Sequence, residues 1–249
     1  MGYTKAERVV LPIAFLIMLL LSLLLRLLLF DKSEKVKKIP FVVVTSLMIL
    51  GELIKQIRGI IVGYDLWWIP LHFCSTFFVW LSLAEFTKGE FAGRMKNVAF
   101  LTTLCLVVAI YLFPRAILGN ACENIFKDFL TAHNFFFHHL AIFYFLLSLA
   151  LNRVNIQKTD AYYWITCMSA YFLVTVIFAY ALKTNYFSLL YFPLGFLDSF
   201  RVTCGQLPYN LLQACVLIFA PVGVILLIDR LRKGKKSNEP VLEISCEES

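Results

Sequence analysis

Glu52, Lys55 and Gln56 are spaced i, i+3, i+4, which on a helix is one face, so a carboxylate and an ammonium can partly neutralise each other there. His72 has Ser75 and Thr76 three and four residues on, sharing its face of a predicted helix, while Cys74 at about 200° points away. Thr131, Asn134 and His138 form a further stripe, with His139 about 100° to its side. Thr184, Asn185, Tyr186, Asp198 and Arg201 follow in a later connection. These residue types suit acyl transfer or ester hydrolysis. A histidine serves as base, Ser75, Thr76 or a substrate hydroxyl as nucleophile, and Lys55, Asn134 or Asn185 as stabiliser of an oxyanion. The four histidines have no HExxH spacing and the seven cysteines no paired motif, so neither a metal nor a cofactor is expected.

The elements that must position these groups are membrane helices. Hydrophobic residues make up 60% of the 249 and charged residues 16%, against roughly 25% charged in a soluble domain. The apolar residues run in long blocks, and in lipid only helices or closed barrels satisfy the backbone. The blocks lie at Val9–Phe30, Pro40–Arg58, Trp67–Phe86, Val98–Leu118, Leu130–Leu151, Ala161–Leu182 and Leu207–Ile228. Each is near the roughly 20 residues that span a bilayer, predicting an all-α polytopic fold of about seven helices. The first block is too long for a signal-peptide core and lacks a small-residue cleavage site, so it is expected to be retained. One membrane domain over residues 1–233 is expected, followed by a polar, disordered tail over 234–249.

Lysine and arginine set the orientation. The connections alternating from the N-terminus carry 8 on one side and 14 on the other, which places the N-terminus outside and the C-terminus in the cytoplasm. Topology accounts for the net charge of +7, so nucleic acid is not an expected partner. Membrane phospholipids are, with anionic headgroups at the basic cytoplasmic loops. In this orientation all the polar stretches lie at similar depth in the outer half, predicting a shared cavity open to the outside. The stretch from Lys183 to Gln206 is apolar but broken by Pro193 and Gly195, and reads as a re-entrant or interfacial segment on that side. Cys122 and Cys204 both fall in outer connections, where they are either a disulfide or two free thiols.

Three motifs resemble the YwaF-like family of bacterial integral membrane proteins: Pro70-Leu71-His72-Phe73-Cys74 after an aromatic pair, the aromatic run Phe136-Phe137 ending in His138 and His139, and Thr184-Asn185-Tyr186. The resemblance implies a seven-helix fold with two functional histidines at His72 and His139. Spacing on the helix favours His138 instead, and both stay open. It also implies a distant relation to eukaryotic phospholipid acyltransferases that use cysteine and histidine, with Leu71 standing where their cysteine would be.

Two functions follow as expectations for a multipass protein of the cell membrane. One is a lipid acyltransferase or lipid hydrolase with its catalytic groups among His72, His138, His139, Ser75 and Thr76, and substrate contacts from Glu52, Lys55, Gln56, Asn134, Asn185 and Tyr186. The other is a small-solute or proton-coupled transporter or binding protein. The absence of an internal repeat and the off-centre cluster weigh toward the enzyme. A retinal-type receptor is excluded because Leu207–Ile228 contains no lysine for a Schiff base.

Overall fold

The computed structural model describes residues 3–191 and 195–237. Nine helices occur among them: α1 (Lys5–Leu29), α2 (Glu34–Val62), α3 (Phe77–Phe86), α4 (Gly89–Leu112), α5 (Pro114–Leu118), α6 (Phe129–Ala150), α7 (Asp160–Leu182), α8 (Gly195–Cys204) and α9 (Gln206–Ser237). Six of these, α1, α2, α4, α6, α7 and α9, are long and apolar enough to cross a membrane, and a shorter apolar helix covers Cys74–Phe86. The protein is therefore an all-helical polytopic membrane protein.

The third expected span, Trp67–Phe86, is corrected. Only its second half is α-helical. Single 3-10 turns at Leu66–Trp68 and Cys74–Thr76 flank a non-helical stretch. Pro70 is the cause, since it lacks an N–H and biases the residue before it away from the helical region, where Ile69 indeed has φ −57° and ψ 132°. The fourth expected span, Val98–Leu118, is also divided. Phe113 leaves the helix at φ −137°, ψ 59° ahead of Pro114, and α5 starts anew.

Local signals set the other ends. Thr4 caps α1 in a reciprocal box, the Glu7 amide donating to Thr4 Oγ1 at 3.1 Å and the Thr4 amide to Glu7 Oε2 at 2.7 Å. Asp128 caps α6 by accepting from the Thr131 amide at 2.9 Å. Helix α9 continues to Ser237, past the expected domain end at residue 233. Of the tail expected to be disordered, residues 238–249 lie outside the described residues, as do Phe192, Pro193 and Leu194 of the expected re-entrant segment.

Helix α6 is the axis, packing on α1, α2 and α4, while α3 packs on α4 and α7 on α9. Burial follows this order: 56% of the apolar windows of α4 and α6 is buried, against 17% for α1 and α9, whose leucine faces are left to lipid. Helices α2 and α6 run antiparallel. The Arg58 guanidinium lies 4.9 Å over the Phe129 ring near one end, and Phe41 meets Tyr144 edge-on at 5.2 Å near the other.

At that second end lies a buried polar set that the outer-cavity reading does not contain. Arg153, just past α6, donates to both oxygens of fully buried Glu85 at 2.8 Å. The Tyr144 hydroxyl donates to the same carboxylate at 2.8 Å, and the Phe41 ring lies 4.0 Å from the guanidinium carbon. Nearby, buried Asp160 at the start of α7 accepts from Arg94 at 3.0 Å and Asn97 at 2.8 Å, both on α4. With their hydrogen bonds supplied, these buried carboxylates clamp the ends of four helices together.

Candidate functional site

The site begins on α2. Glu52 and Lys55, 4% and 8% exposed, form an ion pair at 2.7 Å. Gln56 donates to Glu52 Oε1 at 2.7 Å and to the Trp68 carbonyl at 2.8 Å, and accepts from the Tyr64 hydroxyl. The expected i, i+3, i+4 set is thus on one face, and it also ties the loop before α3 down onto α2. Gly59 permits that approach, because a Cβ there would stand 2.6 Å from the Trp68 ring.

Helix α6 supplies the facing residue, His133. Its Nε2 stands 3.8 Å from Glu52 Oε2, its ring stacks on Phe137 at 5.2 Å, and its edge lies 3.9 Å from where a Gly51 Cβ would be. The wheel stripe of Thr131, Asn134 and His138 leaves His133 out, and nothing local marks it. The signal that finds it is depth. Eleven residues separate Phe41 from Glu52 on α2, and eleven separate His133 from Tyr144 on antiparallel α6.

His72 enters from the non-helical stretch. Its ring lies 4.0 Å from that of Trp67 and 5.4 Å from that of Tyr186. Lys55 is within electrostatic range of His72, His133 and partly buried Cys74, and Glu52 within range of Cys74 too. Because residues 69–73 are not helical, the wheel argument that turned Cys74 away from this face does not apply. The Nε2 atoms of His72 and His133 and the Oε2 atom of Glu52 are buried without a hydrogen-bond partner. Three unmatched polar atoms in one neighbourhood are what a polar ligand would satisfy.

His138 and His139 lie elsewhere. Five and six residues beyond His133, they project from other sides of α6, about 140° and 120° away in opposite senses. Their Nδ1 atoms donate to the carbonyls of Asn134 at 2.6 Å and Phe135 at 2.7 Å, fixing the tautomer and leaving each Nε2 as a buried acceptor. His139 also stacks on Phe135 at 3.9 Å.

The remaining expected residues, Ser75 apart, have backbone partners. Thr76 Oγ1 donates to the Phe73 carbonyl at 2.8 Å and accepts from Trp80 Nε1 at 3.1 Å, which occupies it as a nucleophile, while Ser75 is partly buried in the same 3-10 turn. Asn134 donates to the Leu118 carbonyl at 3.0 Å. Asn185 accepts from the amides of Leu190 and Tyr191 and donates to the Tyr191 carbonyl, knitting the connection after α7. The Tyr186 hydroxyl donates to the Leu66 carbonyl, binding that connection to the loop that carries His72. Cys122 is buried and Cys204 exposed, and both thiols are free, so of the two readings the structure has no disulfide. Among the described residues there is no group of three or more metal-ligating side chains.

Fold and site together define a polytopic membrane protein with a charged, histidine-bearing site recessed at one end of its helix bundle. The sequence matches the TMEM164 family over residues 3–227, and the chain belongs to that family. The expected membership of the YwaF-like family is thereby corrected. The motifs behind it are short and rich in aromatic residues, and the family match extends over nearly the whole chain. It carries no relation to acyltransferases with it. No curated protein and no solved structure matches the chain.

Proposed function

We propose that the protein transfers acyl chains between membrane lipids at the Glu52–Lys55–His133 site, with Cys74 as nucleophile. The observation that carries the reading is the buried Glu52–Lys55 pair, flanked by two histidine Nε2 atoms without partners and by a thiol within range of the ammonium. The Lys55 ammonium offsets part of the cost that burial and the Glu52 carboxylate set on a Cys74 thiolate, and a recessed amine can face a developing oxyanion.

The chemistry is a double displacement. His133 takes the Cys74 thiol proton as the sulfur attacks the ester carbonyl of a phospholipid, and the oxyanion of the tetrahedral intermediate lies against Lys55. Collapse breaks the ester C–O bond, and a proton carried by His133 goes to the departing lysophospholipid oxygen. The resulting thioester is attacked by the hydroxyl of an acceptor lipid, whose proton His133 takes, and the thiolate leaves. Water as acceptor gives hydrolysis instead. Glu52 orients Lys55 and faces His133. His133 takes the role expected of His72, His138 or His139, and Cys74 that expected of Ser75, Thr76 or a substrate hydroxyl. The charge asymmetry puts this end on the outer face of the cell membrane, and that placement belongs to the proposal.

The test is reconstitution in vesicles with a phospholipid carrying an isotopically labelled acyl chain and an unlabelled lysophospholipid acceptor, read by mass spectrometry. Label should appear on the acceptor and be lost in Cys74→Ser and His133→Ala. A hydroxylamine-labile label on the protein should accumulate when the acceptor is omitted. Undiminished transfer by Cys74→Ser would sink the nucleophile assignment, and absence of transfer by the well-folded protein across donor lipids would sink the activity.

A further inference from the structure

At the opposite end of the bundle, among the α1–α2, α3–α4 and α6–α7 connections, lies a cavity of about 670 Å³. Its wall holds Arg26 of α1, Lys35, Lys37 and Lys38 of α2, Lys96 of α4 and Arg153 beyond α6, with Glu34 as its acidic residue. Two of these cations are matched: Arg153 by Glu85 at 2.8 Å and Lys37 by Glu34 at 3.1 Å. Arg26, Lys35, Lys38 and Lys96 have no ion pair among the described residues. Lys96 is within electrostatic range of Arg153 and Lys38 and also of Glu85 and Glu34, but Glu85 is bound to Arg153 and Glu34 to Lys37, so folding still brings surplus positive charge from separate elements toward one space. Such an arrangement is repulsive when empty and complementary to a compact anion.

The apolar part of the wall indicates where that anion comes from. Phe30, Ala150 and Leu151 line the same cavity. Arg26 lies roughly 5 Å inside the end of α1, between the exposed leucines Leu24, Leu27 and Leu28. The cavity thus meets the bilayer at headgroup depth, with hydrocarbon-facing side chains beside it. We infer that it binds the phosphate of an anionic phospholipid in the leaflet at this end. The charge asymmetry makes that the cytoplasmic leaflet, where anionic lipids concentrate and where basic clefts between helices hold their headgroups. Lys38 and Lys96 contact the phosphate, Arg153 forms a fixed wall because Glu85, Tyr144 and Phe41 hold it, and Arg26 meets the glycerol region.

The experiment uses the full chain in nanodiscs of phosphatidylcholine, with and without phosphatidylglycerol, reading thermal unfolding and the lipids retained in native mass spectrometry. Phosphatidylglycerol should raise the unfolding temperature and be retained. Lys38→Gln with Lys96→Gln should weaken retention roughly thirtyfold, two cations being lost, while Lys38→Arg with Lys96→Arg keeps it. Because neither lysine has an ion-pair partner, the glutamine pair should fold normally in pure phosphatidylcholine. Should it fail to fold, Lys38→Gln alone gives the same reading, with a roughly fivefold loss for the one cation removed. Inorganic phosphate added to phosphatidylcholine nanodiscs should leave the unfolding temperature unchanged. A full effect from phosphate alone would overturn the lipid assignment in favour of a soluble anion, and undiminished lipid retention by the glutamine pair would overturn the site. Neither outcome depends on acyl transfer at the other end.

Discussion

His133 and Glu52 face each other across the α2–α6 interface, Nε2 to Oε2 at 3.8 Å, with Lys55 holding the other carboxylate oxygen at 2.7 Å. Neither His138, which helix spacing favours, nor His139, which the family resemblance implies, makes such a contact. The pair therefore separates the histidines into one that faces the charged site and two that hydrogen-bond their own helix.

That separation predicts distinct phenotypes. His133→Ala should abolish acyl transfer with the smaller loss of stability, since its Nε2 has no hydrogen bond to lose and only packing such as that on Phe137 goes. His138→Ala and His139→Ala should instead lower thermal stability by about 1–3 kcal/mol through lost packing and a lost Nδ1 bond, with transfer per folded molecule kept. Size-exclusion of fluorescently tagged variants after heating, alongside the labelled-lipid assay, gives both quantities.

Lys55→Met should be among the most destabilising changes near the site, because it strands the Glu52 carboxylate at 4% exposure. Breaking one side of a buried pair costs about 3–5 kcal/mol. The double variant Glu52→Gln with Lys55→Met should recover most of that stability but no activity. Thermal unfolding in detergent checks it, and equal stability of the single and double variants would show that the pair is not held as described.

The Glu85–Arg153 clamp predicts a similar asymmetry at the other end. Glu85→Gln leaves the guanidinium with a neutral partner and should cost about 3–5 kcal/mol. Phe41→Leu removes only the ring beneath it and should cost about 1–2 kcal/mol. Neither should change the labelled-lipid rate per folded molecule.

Cys122 and Cys204 should label differently with maleimide. Burial pushes the Cys122 thiol up to about 11, with Glu7 and Glu123 adding to the shift. Its thiolate fraction near neutral pH therefore falls below that of an ordinary cysteine, and its labelling should accelerate with pH toward that value. Cys204 is exposed and should label quickly. Both rates should be the same with and without reductant, since neither is in a disulfide.

Gly59→Ala should detach the loop before α3. A methyl group 2.6 Å from the Trp68 ring must displace it, and Trp68 carries the carbonyl that Gln56 holds at 2.8 Å. Transfer should drop at least as strongly as stability, because Cys74 follows on from the same loop. Tryptophan fluorescence and the lipid assay report the two effects.

The sequence by itself determined the class of fold, because long apolar blocks in lipid leave only helices and their length sets the count to within one. It also determined the Glu52–Lys55–Gln56 face, since residues three and four apart on one helix are neighbours whatever surrounds them. Pro70 and Pro114 were legible as breaks, yet the apolar run through each concealed how far the helix yields. Tertiary structure alone decided which α6 histidine meets that face, because the rotation of one helix against another depends on packing along its whole length. It likewise joined Glu85 to Arg153, 68 residues apart in the chain. It brought Cys74 within electrostatic range of Lys55 with residues 69–73 lacking a helical period, so helix spacing in the sequence could not place that thiol.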